Sequence, residues 1–178
     1  MKKIILSTLF MVLSLVLVTP VFASETDNQK LENLSEKGEI IYIDDEITVR
    51  SFGNDTEASE AIFNHPDSVT STEIMPFSAV NGPGGRASIV SGNSGRIVYW
   101  SVTPATSWPY SFAGVVKLRY HSGFKRDAYV VGSGLFGQSS SGSVTMNQNN
   151  GGTAYLEGTA HSLTGSLHKV LPGVHTAF

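Results

Sequence analysis

The chain has 178 residues and a net charge of −3, with 40% apolar and 15% charged side chains and no cysteine. That length suits one domain, or a small domain with an appendage. The lack of thiols excludes a disulfide framework, a thiolate metal site and a cysteine nucleophile.

The chain opens on Met1-Lys2-Lys3, an apolar run from Ile4 to Val18, and Val21-Phe22-Ala23. Basic start, short apolar run and small residue read as a signal peptide over residues 1–23, with cleavage between Ala23 and Ser24. The run falls short of the ~20 apolar residues that a membrane span requires. The expected location is therefore outside the cell. An exported domain with no disulfides points to a bacterial source. The C-terminal residues Gly173 to Phe178 carry no cell-wall sorting pattern, which suggests a freely released protein.

Charge divides the remainder sharply. Ser24 to Met75 carries thirteen acids against three bases, a balance of −10. Pro76 to Phe178 carries seven bases and only two acids, Asp127 and Glu157, a balance of +5. Glycine divides the same way, with sixteen of eighteen falling after Phe77. The expected organisation is an acidic, partly ordered N-terminal segment over 24–78, as propeptide or appendage, followed by a basic Gly/Ser-rich β domain over 79–178.

Within the acidic segment, Asp27 to Lys37 predicts a short helix with Leu31 and Leu34 on one side and Gly38 as its stop. Ile40–Ile43 and Ile47–Phe52 predict a hairpin around the acidic turn Asp44-Asp45-Glu46. Asn54, with Glu57 three residues on, predicts a helix cap and a helix running to Asn64. Electrostatic attraction would hold this segment loosely over the basic domain, Asp44–Glu46 facing Lys117, Arg119, Lys125 and Arg126. Pairing of the hairpin with a sheet edge, burying Ile41, Ile43, Ile47 and Val49, is the alternative.

After the seam the pattern is β throughout: Arg86–Ser91, Arg96–Thr103, Phe112–His121, Phe124–Val131, Ser143–Asn147, Thr153–Ala160, Ser166–Leu171 and Val174–Phe178. Gly/Asn/Ser turns separate these runs. The fold class is mainly β, an antiparallel β-sandwich or barrel-like domain. Alternation along Val115–His121 turns Val116, Leu118 and Tyr120 to the core and Lys117, Arg119 and His121 to water. Trp100 and Trp108 read as core or rim residues.

The catalytic motifs are weak. Gly132 to Gly137 spells G-x-G-x-x-G, but Gln138-Ser139-Ser140-Ser141-Gly142 follows where a nucleotide site needs a helix. No G-x-S-x-G elbow exists. A hydrolase could draw only on His121 and Asp127 as its base and orienting acid. His161, His168 and His175 recur every seven residues, which alternates faces along a strand and suits no metal. Asp44-Asp45-Glu46 lacks the staggered ligands and glycine of a calcium loop. No catalytic residue, metal or cofactor is assigned.

The cluster that does stand out is Lys117, Arg119, His121, Lys125 and Arg126, five basic or titratable groups within ten residues. Gathered at one hairpin tip, they predict an anionic partner: a cell-wall polymer, an acidic polysaccharide or lipid headgroups, and not nucleic acid. The expected function is a secreted, non-enzymatic binding protein. The alternatives are a membrane-active or antimicrobial effector released by cleavage near residue 78, and a secreted hydrolase.

Overall fold

The computed structural model describes residues 29–65, 78–148, 151–170 and 173–178. The expected signal peptide and most of the seam lie outside the described residues. The fold is mainly β, in two antiparallel sheets. The strands are β1 (Glu39–Ile43), β2 (Ile47–Gly53), β3 (Ala79–Gly82), β4 (Gly85–Ser91), β5 (Ile97–Pro104), β6 (Tyr110–Tyr120), β7 (Lys125–Gly134), β8 (Ser140–Met146), β9 (Gly152–Ser162), β10 (Leu167–Lys169) and β11 (His175–Ala177). One helix, α1 (Thr56–Phe63), follows β2. Sheet one has the order β1-β2-β8-β5-β4-β3 and sheet two the order β10-β9-β6-β7, with β11 sharing an edge of β9.

Alternation decides which side chains meet between the sheets. Val98, Trp100, Val102, Val144, Ile47 and Val49 face inward from sheet one, and Phe112, Val116, Leu118, Ala128, Val130 and Leu156 from sheet two. The rings of Trp100 and Phe112 lie 5.8 Å apart in this core. Glycines make the room. A Cβ on Gly158 would stand 2.5 Å from the Phe112 ring, and one on Gly142 would stand 3.0 Å from the Trp100 indole. The glycine-rich strands therefore serve large aromatics seated on bare backbone. Trp108, by contrast, is exposed at the rim.

The acidic segment is part of the sandwich, which reverses the expectation of a loose cover. β2 pairs along Ile47–Gly53 with Met146–Ser141 of β8, so it is an inner strand of sheet one. Ile47 and Val49 are buried as anticipated, whereas Ile41 and Ile43 on edge strand β1 are exposed. The outer face of sheet one is roofed by the same segment: Leu31, Leu34, Phe52, Ala58 and Ile62 pack on Val90 and Tyr99. Small side chains let α1 approach closely, with Ser59 lying 3.3 Å from Ser141 across the interface. Among the described residues, the predicted first helix is helical over residues 29–32 and gives way to turns over 33–36. Gly38, expected as its stop, lies instead after those turns and just before β1, at φ 87°, where a Cβ would strike Ser51 O at 2.4 Å. The N-cap of α1 is Asp55, whose Oδ1 accepts from Ala58 N at 3.0 Å. Asn54 instead sets its amide 3.0 Å from that of Gln138.

Candidate functional site

The β6–β7 hairpin forms with Arg119 directly opposite Lys125 and Lys117 opposite Asp127. Its turn is closed by Tyr120 N donating to Phe124 O at 3.0 Å and by Gly123 at φ 86°, a backbone region that favours glycine. Val116, Leu118 and Tyr120 are buried, so the predicted core and solvent faces of β6 are correct.

The five basic groups do not share one environment. Lys117 Nζ meets Glu157 at 2.5 Å on neighbouring β9. Arg119 Nη1 meets Asp127 at 2.7 Å and also donates to the Leu118 carbonyl at 2.9 Å. Arg126 falls on the opposite face of β7 from Lys125, as strict alternation requires. From there it crosses to sheet one, pairing with Asp44 and standing 3.4 Å from Glu46. Of the four bases expected to face the acidic turn, Arg126 alone does so. Among the described residues, His121 and Lys125 have no carboxylate partner.

The Arg126 cluster is a built feature. Asp44 Oδ1 accepts from Glu46 N and Ile47 N, both at 2.8 Å, which fixes the acidic turn. Its Oδ2 accepts from the Tyr42 hydroxyl at 2.7 Å. That hydroxyl, the turn amides and the Arg126 guanidinium together hold the Asp44 carboxyl down to about 2. The same hydrogen bond pushes the Tyr42 phenol above its ordinary value. Tyr42 was not legible as a partner, because nothing in sequence indicates which face of β1 meets a strand of the other sheet. Asn147 adds a second tie, its Nδ2 donating to Asp45 O at 2.8 Å.

The remaining motifs resolve into structure. Gly132 and Gly134 lie in β7, and the turn after them leads into β8, with no helix behind the glycines. Asp127 is engaged by Arg119, and the position opposite it is four residues from His121, about 13 Å along an extended strand. Those two side chains are beyond hydrogen-bonding reach. His161 and His175 lie on the outer face of sheet two, His175 stacked on Tyr155 at 5.3 Å, while His168 is aligned with inward-facing Ala160. Among the described residues no three histidine or acidic side chains are grouped to hold a metal.

A recess opens where the β3–β4 turn approaches β10, lined by Val80, Val102, Phe112, His168 and Val170 among others, with no carboxylate. Arg86 borders it but turns its guanidinium outward over the Phe63 ring, 4.1 Å from the centroid. Burial there lowers its pKa from the usual arginine value. Among the described residues no helix is long and apolar enough to cross a membrane. In comparisons with known proteins, no family model and no curated sequence matches this chain.

Proposed function

We propose that this chain is a secreted, non-enzymatic β-sandwich that binds an anionic partner outside the cell through the tip of the β6–β7 hairpin. The observation that carries the reading is the charge left over there. Arg119 and Lys125 face each other, His121 stands beside them, and the nearby carboxylates are already held by Lys117, Arg119 and Arg126. Lys125, left without a carboxylate partner among the described residues and set opposite Arg119, favours an anionic partner such as a cell-wall polymer, an acidic polysaccharide or a lipid headgroup. Contacts of this exposed kind weaken as salt shortens the Debye length. The test is binding of the chain to anionic polymer at low and high salt, alongside Lys125→Glu. Retention at low salt that falls with salt and with the substitution supports the reading. No retention at low salt, or retention indifferent to Lys125→Glu, overturns it.

A further inference from the structure

At the opposite end of sheet two, Gly134, Tyr110 and Ser162 are aligned partners on β7, β6 and β9. Adjacent strands are ~4.8 Å apart, so the three loops leaving this row emerge within about 10 Å of one another. Residues 105–109 precede β6, residues 135–139 follow β7, and residues 163–166 follow β9. Leu163 N donates to Pro109 O at 2.8 Å, and the Tyr110 hydroxyl donates to Gln138 O at 2.8 Å, which ties all three together.

These loops present four large apolar side chains to water: Trp108 at 54% exposure, Leu135 at 48%, Phe136 at 77% and Leu163 at 74%. The three loops contain no charged residue. Phe136 is held at φ 51°, the one left-handed non-glycine among the described residues. Four exposed large apolar side chains at one end of the sandwich offer an interaction surface.

Several polar groups of the same loops are hydrogen-bonded to one another. Trp108 N donates to Thr106 Oγ1 at 3.1 Å, and Leu135 N to Gln138 Oε1 at 3.1 Å. Gln138 N donates back to Leu135 O at 3.0 Å. Ser162 Oγ accepts from Ser166 N at 3.1 Å and hydrogen-bonds with Thr164 Oγ1 at 2.8 Å. Entry into a medium without water demands that arrangement, since unsatisfied backbone and hydroxyl groups are heavily penalised there.

We infer that this end of the sandwich docks on the interfacial region of a phospholipid bilayer, with Trp108, Leu135, Phe136 and Leu163 inserted among the acyl chains. Absence of charge removes the desolvation penalty and assigns the contact to hydrocarbon. Tryptophan suits the boundary layer, where an apolar ring and a polar N–H are both accommodated. The site is distinct from the β6–β7 tip, which lies at the other end of β6, about 33 Å away. It goes beyond the polyanion reading and does not depend on it.

The test is Trp108 fluorescence with phosphatidylcholine vesicles. It is run on the chain from Ser24, which keeps every described residue, and in parallel on the full chain. Trp100 is fully buried and supplies a constant background. The expected result is a blue shift with lipid that is unchanged by salt and by Lys125→Glu. The double variant Phe136→Ser/Leu163→Ser should weaken partitioning about tenfold or more at unchanged melting temperature. No shift, or a shift abolished by salt, overturns the inference. So does a Trp108 already shielded from acrylamide in a lipid-free dimer, which would mean that a second copy covers this end. Loss of polyanion binding with intact vesicle insertion would instead overturn the hairpin-tip reading alone.

Discussion

Deleting residues 24–75 asks whether the acidic segment belongs to the fold. The deletion removes β1, β2 and α1, and with them the buried side chains Leu31, Leu34, Ile47, Val49, Phe52, Ile62 and Phe63. At about 1.5–3 kcal/mol each, these seven account for roughly 10–20 kcal/mol of burial as an upper estimate. Ordering the segment offsets part of that figure. The edge of β8 would also lose its backbone partner, and Tyr99 and Val90 their cover. Against a typical total stability of about 5–15 kcal/mol, the truncated chain should be insoluble or lack a cooperative transition. A point variant avoids an all-or-none outcome. Ile62 is completely buried against sheet one, so Ile62→Ala should cost about 2–5 kcal/mol. With a urea slope of about 2 kcal/mol/M, the midpoint should fall by about 1 M or more. Ile43→Ser, on the exposed edge strand, should stay within about 0.5 kcal/mol. A truncated chain that melts cooperatively, or an Ile62→Ala midpoint within about 0.2 M of the parent, would refute the reasoning.

Two further predictions concern local contacts. Asp55→Ala should destabilise by about 0.5–2 kcal/mol in urea titration, because it removes the cap of α1, whereas Asn54→Ala should cost clearly less. Asp44 has its carboxyl held at about 2 in the folded chain, below the ordinary value of 3.8. The unfolded chain therefore binds the extra proton first as pH falls, and this contribution, complete above pH 4, is lost between about pH 4 and 2. Asp44→Asn should flatten that part of the stability profile in thermal melts at stepped pH, and an unchanged slope would count against the Tyr42–Asp44–Arg126 arrangement.

Strands and their local faces were legible in the residue pattern. Period-2 alternation from Val115 to His121 placed Val116, Leu118 and Tyr120 in the core, because a pleated strand has only two sides. Turn chemistry located the breaks between strands, since residues such as Gly123 and Gly165 accept φ values that other side chains resist. The same alternation separates Lys125 from Arg126, so the division of the five basic residues between two faces is carried by their spacing alone. Partners, by contrast, came only from the folded arrangement. Charge suggested a detachable acidic segment, but burial of Val49 between the sheets and of Ile62 above Tyr99 made that segment integral. Apolar side chains few in number can outweigh many exposed charges, because each buried group contributes more than a surface pair. Likewise, Trp108, Leu135, Phe136 and Leu163 are scattered over 56 positions of sequence and form one apolar end only because β7, β6 and β9 lie side by side. Proximity of that kind comes from strand order, which local pattern does not encode.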